Sequence, residues 1–234
     1  MELRLDSSDE MFVAGRAGHY LSVGLSAMRC LDASLENSDS IQGPAPSILD
    51  LPCGHGRVLR FMRARYPSAN ITVSDIDPTA MRFCQKTFKC QGVVSIPDFD
   101  NLELPGPFDL VWCGSLFTHL AEEDSKGLLR LLFRNLSSKG TCVITTHGQL
   151  TVDRITSGHD TYGLTQSAQK DTLSQVEETG YGYAGYEAGG DYGISIVTHP
   201  RMLELVAETG TWHEAAFIDH GWDGHQDVYA LRHN

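Results

Sequence analysis

Residues 48–62 constrain the fold of this chain more than any other stretch. An apolar run leads to Asp50, glycines follow at Gly54 and Gly56, and apolar side chains then recur at helical spacing. This pattern predicts a strand, a tight turn and a helix. In an open α/β sheet such a turn lies at the carboxyl end of a strand, where ligands bind. The helix start offers unpaired N–H groups, and glycine lets a ligand approach the backbone closely.

Strand and helix signals alternate along the rest of the chain, which predicts a doubly wound, mostly parallel α/β sheet with helices on both faces. The Asp77-Pro78 pair is a helix start, because an acidic N-cap precedes proline at the first helical position. The predicted helices are 57–66, one beginning at Pro78, 122–136, a weak one at 166–179 and one from Pro200 to Gly210. The predicted strands are 47–53, 70–75, 92–96, 108–113, 141–146, 211–218 and 226–232.

The length of 234 residues suits a single domain spanning residues 1–234. Residues 1–46 are expected to form a helical N-terminal arm and linker, with Ser7 and Glu10 at capping-box spacing. Residues 149–193 break the alternation with a glycine- and tyrosine-rich segment, and regular structure is expected to return at Ile194. A long irregular insertion of this kind is often a functional lid.

Charge and composition exclude several classes of partner. The formal net charge is −12, which disfavours binding to a nucleic-acid backbone. No apolar run approaches the ~20 residues that span a bilayer, so no membrane partner is expected. The N-terminus is acidic and polar rather than a secretory signal, and the six cysteines form no C-x-x-C pair. Buried free thiols and a cytoplasmic location are therefore expected.

Asp75 is the strongest candidate for contact with a ribose. It ends the predicted second strand, 25 residues after Asp50. In dinucleotide-binding folds an acid about 20 residues past the glycine turn accepts hydrogen bonds from the ribose hydroxyls. Asp77 competes for this role, but helix capping explains it better. A nicotinamide-binding turn would carry a third glycine where this chain has Leu59.

Residues 48–57 resemble motif I of the class I S-adenosylmethionine (SAM) dependent methyltransferases, in which an acid precedes Gly-x-Gly. Residues 113–120, 145–148 and 221–228 are similar to a bacterial subgroup that acts on small molecules. The resemblance implies a Rossmann-like seven-stranded sheet whose last strand inserts beside the fifth. It implies SAM as the cofactor and S-adenosylhomocysteine (SAH) as its product. The implied cofactor contacts are Asp50, Leu51, Cys53, Gly54, Gly56, Arg57, Asp75, Ile76, Asp98, Phe99, Cys113, Gly114 and Ser115.

The resemblance also assigns roles within this set. Asp98 would accept the adenine amino proton, with Asp100 as its rival, and Phe99 would pack on the ring. Residues 113–115 would line the methionine part of the cofactor. The motifs of family members that methylate base amino groups, glutamine amides or cytosine C5 are absent after the fourth strand. We therefore expect O- or N-methylation of a small molecule or metabolite.

His119 and His147 are the candidate general bases, because they follow the fourth and fifth strands on the ligand edge and histidine titrates near neutral pH. A carboxylate acceptor would need no base. Histidines with Asp191, Asp223 or Asp227 lack tight ligand spacing, so no metal site is expected. The alternatives are a non-catalytic SAM-binding protein and a nicotinamide-dependent oxidoreductase. The oligomeric state, monomer or homodimer, is left open.

Overall fold

The computed structural model describes residues 1–186 and 192–234. Its strands are β1 Ser47–Asp50, β2 Asn70–Asp75, β3 Gln91–Val94, β4 Phe108–Cys113, β5 Leu136–Thr146, β6 Tyr181–Gly185, β7 Gly193–Val197, β8 Trp212–Trp222 and β9 Gln226–His233. Its α-helices are α1 Ala17–Ser34, α2 Leu59–Arg65, α3 Pro78–Phe88, α4 Glu122–Asn135, α5 Gln149–Thr156, α6 Gln166–Thr179 and α7 His199–Thr209. A short 3-10 helix follows β4 at Phe117–His119.

Within the described residues the main sheet has seven strands in the order β3-β2-β1-β4-β5-β9-β8. Strands β1 to β5 pair in parallel, whereas β9 runs antiparallel to both β5 and β8. The strand order reverses between β1 and β4, and a crevice opens outside the carboxyl ends of strands at such a reversal. The prediction of a doubly wound sheet ending in an antiparallel hairpin is confirmed.

Apolar cores lie on both faces of the sheet. Successive residues of a strand point to opposite faces, so Ile48 packs into the core under α1 and α2 while Leu49 packs into the core under α4 and α7. Leu31 and Leu128 are fully buried on these two opposite faces. Burying such a side chain stabilises the fold by about 1.5–3 kcal/mol. These two layers hold the strand ends in place.

The N-terminal arm is less helical than the sequence predicts, because α1 begins at Ala17 and the capping-box prediction at Ser7 is wrong. Side chains tie down the preceding residues instead. The Tyr20 hydroxyl donates a hydrogen bond to Asp9 at 2.7 Å. The buried guanidinium of Arg60 donates to the main-chain carbonyls of Glu2 and Arg4 at 3.2 and 3.3 Å.

The insertion between β5 and α7 is more regular than predicted. In its described part, α5 and α6 precede an antiparallel hairpin in which β6 pairs with β7 from Tyr181↔Val197 to Gly185↔Gly193. The prediction of irregular chain is therefore wrong for β6. Glycine permits this packing, because a Cβ at Gly182 would collide with the carbonyl of Thr172 in α6. The Tyr181 hydroxyl ties the hairpin to the main domain through a 2.9 Å hydrogen bond to the carbonyl of Leu120.

Residues 187–191 lie outside the described residues, so the part of the predicted lid that falls there has no structural description. None of the helices in the described ranges combines the length and apolar character needed to cross a bilayer.

The Asp77 cap generates a stability prediction. Its side chain accepts a 2.7 Å hydrogen bond from the Thr79 N–H at the start of α3. Asp77→Ala should lower the free energy of unfolding by about 1 kcal/mol, and Asp77→Asn should cost less because the amide oxygen still accepts. Urea denaturation of both variants measures this. Equal stability of Asp77→Ala and the parent chain would contradict the assigned cap.

Candidate functional site

A crevice of about 480 Å³ opens at the carboxyl ends of β1, β2, β3 and β4. Several of its walls come from predicted cofactor residues, and others come from the insertion. Its lining residues are Leu51, Pro52, Ile76, Ser95, Ile96, Pro97, Phe99, Leu116, Leu120, Ala121, Asp124, Tyr183 and Tyr192. The strand-order reversal thus places an apolar cavity beside the glycine turn. Leu51, Ile76 and Phe99 of the predicted cofactor residues line this cavity, whereas Asp50, Gly54 and Asp75 lie next to it without lining it.

The glycine turn uses its two glycines differently. Both have a left-handed backbone, with φ of 47° at Gly54 and 80° at Gly56. A Cβ at Gly56 would lie 2.5 Å from the ring of Phe88, so this glycine lets α3 pack closely against the turn. A Cβ at Gly54 would meet no atom within 4 Å, so the backbone there is open to an approaching ligand.

Asp75 joins the end of β2 to this turn. Its Oδ2 accepts a hydrogen bond from the Gly54 N–H at 2.7 Å, and its Oδ1 accepts from the Asp77 N–H at 2.9 Å. Burial raises the pKa of the Asp75 carboxyl, and the two N–H donors oppose that shift. A carboxylate oxygen has two lone-pair sites, so each oxygen of Asp75 can still accept a hydrogen bond from a ribose hydroxyl.

Asp50 ends β1 and is 1% exposed. Neither of its carboxyl oxygens has a hydrogen-bond partner in the described part of the chain. Burial, followed by the negative charge of Asp75, raises the pKa of this carboxyl. A buried carboxyl without a donor is costly, so its oxygens suit a ligand that brings positive charge or N–H donors. The ammonium and sulfonium of SAM fit this requirement.

The loop after β3 departs in part from its predicted role. Ile76 and Phe99 line the crevice and offer apolar surface to an aromatic ring. Asp98 is exposed, and its carboxylate instead accepts hydrogen bonds from the main-chain N–H and Nδ2 of Asn101, at 3.3 and 2.7 Å. Asp100 forms a 2.6 Å ion pair with Arg130.

Residues 113–115 lie at the end of β4, as predicted. Cys113 is fully buried and burial raises the pKa of its thiol, which fits a packing role. A Cβ at Gly114 would lie 2.7 Å from Nε1 of Trp112, so only glycine fits there without a shift. The Ser115 N–H donates to Thr145 Oγ1 at 2.8 Å, which joins the ends of β4 and β5.

Cys53 is buried in the glycine turn. A hydrogen bond with the neighbouring Cys84 thiol, followed by burial, raises the pKa of the Cys53 thiol. Arg57, also predicted as a cofactor contact, does not line the crevice. It lines a separate cavity of about 160 Å³ together with Trp222 and Gln226.

His119 and His147 lie on the ligand edge, beneath the insertion. Nδ1 of His119 is 2.8 Å from the carbonyl of Gly193, and Nδ1 of His147 is 3.2 Å from the carbonyl of Ser195. Because a carbonyl only accepts, each Nδ1 carries the proton and each neutral ring presents Nε2 as an acceptor. Burial lowers the pKa of both rings, and that of His147 falls to about 3 because of burial and the neighbouring His225.

The structure adds a contact between His225 and Tyr162 to this cluster. The Tyr162 hydroxyl and Nε2 of His225 form a 2.7 Å hydrogen bond. The His147 and His225 rings stack with centroids 5.2 Å apart. Tyr162 and His225 lie far apart in sequence and meet only in the tertiary fold, so no linear motif predicts their contact.

Metal-ligating atoms of Asp219, His220 and Asp227 lie within 4.8 Å of one another in the described residues. One carboxylate oxygen of Asp227 already accepts a hydrogen bond from the His220 N–H at 3.0 Å. Asp191, a sequence candidate for a metal ligand, lies outside the described residues. We therefore do not assign a metal site to Asp219, His220 and Asp227.

Comparison with known proteins identifies the domain. Residues 48–140 match a family model described as a methyltransferase domain. The chain is 29% identical over 115 residues to a malonyl-[acyl-carrier protein] O-methyltransferase of Acetivibrio thermocellus, covering 49% of this chain and 40% of the relative. It is 28% identical over 131 residues to a protein of the same name from Bacillus anthracis, covering 56% of this chain and 46% of the relative. The chain thus spans less than half the length of these relatives.

A solved structure shows the same fold. A SAM-dependent methyltransferase from Clostridium acetobutylicum superposes with a TM-score of 0.60 at 11% identity, covering 90% of this chain and 92% of that one. The domain match begins at the glycine-turn strand and extends into β5. Residues 48–140 thus match a methyltransferase domain, and the doubly wound sheet is the fold of a solved SAM-dependent methyltransferase.

Proposed function

We propose that this chain binds SAM in the 480 Å³ crevice and transfers its methyl group to oxygen or nitrogen of a small-molecule acceptor. The pairing of Asp50, whose buried oxygens lack donors, with Asp75 beside the open Gly54 backbone carries this proposal. A cationic nucleoside ligand would supply what this arrangement lacks. It would bring a positive charge to the Asp50 carboxyl and hydroxyl hydrogen-bond donors to the Asp75 carboxyl.

Each part of the cofactor has a candidate partner in the chain. Asp75 would hold the ribose hydroxyls, and Ile76 and Phe99 would face the adenine. Asp50 and the Gly54 backbone would hold the methionine end. When bound, the cofactor supplies an electrophilic methyl group on a sulfonium, so the protein's main tasks are to orient the acceptor and exclude water.

The insertion forms the acceptor side of the site in this proposal. Tyr183 and Tyr192 line the crevice from the insertion. Tyr192 stacks on His119 with ring centroids 5.4 Å apart, and His119 is also bonded to the carbonyl of Gly193. These contacts cover the carboxyl end of β4 and would shield a transferring methyl group from water.

In this proposal His119 would accept a proton from an acceptor hydroxyl or amine, whereas His147, with a pKa of about 3, is a weak base and would act mainly as a hydrogen-bond acceptor. Burial keeps both rings neutral at pH 7, with Nε2 as the basic nitrogen. The curated relatives are named for O-methylation of malonyl-[acyl-carrier protein], so oxygen acceptors are the first class to test here. A carboxylate acceptor would use the site without deprotonation.

The direct test is transfer of radiolabelled methyl from SAM into panels of small carboxylic acids, alcohols, phenols and amines, with SAH release measured in parallel. We expect one chemical class to give turnover above the acceptor-free rate. SAH binding together with no transfer to any class would favour a non-catalytic SAM-binding protein. Binding of a nicotinamide cofactor in place of SAH would contradict the proposal.

Substitution of Asp75 tests the cofactor geometry. Asp75→Asn removes the charge that receives the ribose hydroxyls, so the SAH dissociation constant should rise by roughly tenfold or more, about 1.4 kcal/mol. Calorimetric titration with SAH measures it. Asp77→Asn is the matched control, since it removes a charge two residues away on an exposed helix cap. Equal affinities of the two variants would rule out the ribose role of Asp75.

Burial of His147 predicts a pH effect on stability. Its folded pKa is about 3, below the ordinary value of 6.5, so between these values the unfolded chain binds more protons. Stability should therefore fall as pH drops below about 6.5, by up to about 1.4 kcal/mol per pH unit from this group.

His147→Asn removes this titration, and the variant's stability should fall less steeply with acid. Urea denaturation of both proteins at pH values from about 7 to about 4.5 gives the free energy of unfolding against pH for each. The difference between the two slopes isolates His147, because the contributions of the other titrating groups largely cancel. Parallel stability curves for the two proteins would show that the ring is not shielded in the folded state.

A further inference from the structure

Arg57 follows the glycine turn but faces away from the crevice. It lines a cavity of about 160 Å³, which we call the Arg57 cavity, bounded by α1 and the turn between β8 and β9. His19, Trp222, Asp223, His225 and Gln226 share its lining. The Arg57 cavity and the crevice have no lining residue in common.

Arg57 is partly buried, and its guanidinium has no counter-ion in direct contact. It lies over the ring of Trp222, 5.7 Å from the centroid, and forms no hydrogen bond or ion pair with any described residue. Burial lowers the pKa of this group, while Tyr20, Asp9 and Asp223 favour its charged form from a distance. Arginine stays charged in proteins, so the side chain is a partly desolvated cation.

Other shielded arginines of this chain have their donors satisfied. The guanidinium of Arg60 donates to main-chain carbonyls and to the Tyr20 hydroxyl. Arg201 pairs with Glu122, Glu204 and Glu208. Removing a charge from water is costly unless a partner is found, and Arg57 is partly buried. Its guanidinium donors face a cavity and are available to an anion that enters it, although Asp223 also lines that cavity.

The Arg57 cavity adjoins the strand ends at which methyl transfer would occur. Nε2 of Gln226 donates to Ser115 Oγ at 3.0 Å, and the Thr145 hydroxyl donates to Oε1 of Gln226 at 2.6 Å. One wall of the cavity is thereby fixed to the ends of β4 and β5. A second wall, His225, is bonded to Tyr162 of the insertion. The adenine-facing residues Ile76 and Phe99 lie in the other cavity.

We propose that the Arg57 cavity receives an anionic group, a carboxylate or a phosphate, of the methyl acceptor. The planar guanidinium presents parallel N–H donors that match two oxygens of such a group. The acceptor is then an anionic small molecule whose reacting atom lies toward Ser115 while its charge lies at Arg57. This inference rests on the proposed function and narrows its substrate class.

The test uses the full chain saturated with SAH, titrated calorimetrically with succinate and, separately, with inorganic phosphate at constant ionic strength. Uncharged succinamide is the matched probe. Arg57→Gln removes the charge, Arg57→Lys keeps the charge but loses the planar fork, and Arg16→Gln is the control at an exposed arginine of the arm. Thermal denaturation of each variant checks that it is folded.

We expect one anion, but not succinamide, to bind the parent chain and Arg16→Gln. That anion should bind Arg57→Gln roughly tenfold more weakly, a loss of about 1.4 kcal/mol, with an intermediate effect for Arg57→Lys. The affinity of SAH itself should be the same in all four proteins. Preference for succinate over phosphate, or the reverse, identifies which anionic group the cavity takes.

Other outcomes would overturn the inference, and each is distinguishable. A roughly tenfold loss of SAH affinity in Arg57→Gln would assign the guanidinium to the cofactor's own carboxylate and leave the methyltransferase proposal standing. If the parent chain binds SAH but its affinity for succinate and phosphate is the same as that of Arg57→Gln, the proposal of an anionic acceptor is overturned and the proposed function stands. Failure of the parent chain to bind SAH would instead overturn the proposed function.

Discussion

The hydrogen bond from the Gly54 N–H to Asp75 is the contact on which the proposed site depends, because it fixes the glycine turn after β1 to the end of β2. Next to it, Asp50 is buried with both oxygens lacking a donor in the described chain. Burial raises the pKa of both carboxyls, and the negative charge of Asp75 further raises that of Asp50. In the proposed complex, a cationic ligand at the turn would relieve this electrostatic cost and so couple cofactor binding to the geometry of the strand ends.

The cofactor half of the site follows from local sequence patterns. The strand, glycine turn and helix over residues 48–62, the Asp77-Pro78 cap and the alternation of strands and helices all have short-range causes, and the fold confirms them. The N-terminal arm was mispredicted because a side chain distant in sequence, Arg60, fixes its conformation. Strand β6 was missed because its glycines weaken the strand signal, and it forms by backbone pairing with β7.

Two of the predicted cofactor contacts show why residue type alone does not fix a role. Asp98 was expected at the adenine, yet Asn101 three residues later engages its carboxylate. Arg57 was expected at the cofactor, yet the turn directs it toward α1 and Trp222. His225 and Tyr162 meet only through the tertiary fold. Short motifs thus predict the glycine turn and the strand ends but not the role of each side chain. The surfaces proposed for the acceptor arise from contacts between segments far apart in sequence.

Thermal denaturation of the purified chain with saturating SAM, SAH or NAD tests the central claim most directly. A ligand at about 100 times its dissociation constant stabilises the folded state by about 2.7 kcal/mol, a shift in Tm of roughly 5–10 °C for a domain of this size. We predict this shift with SAM and SAH and none with NAD. A shift with NAD alone, or no shift with any of the three, would contradict the assignment of the glycine turn to SAM.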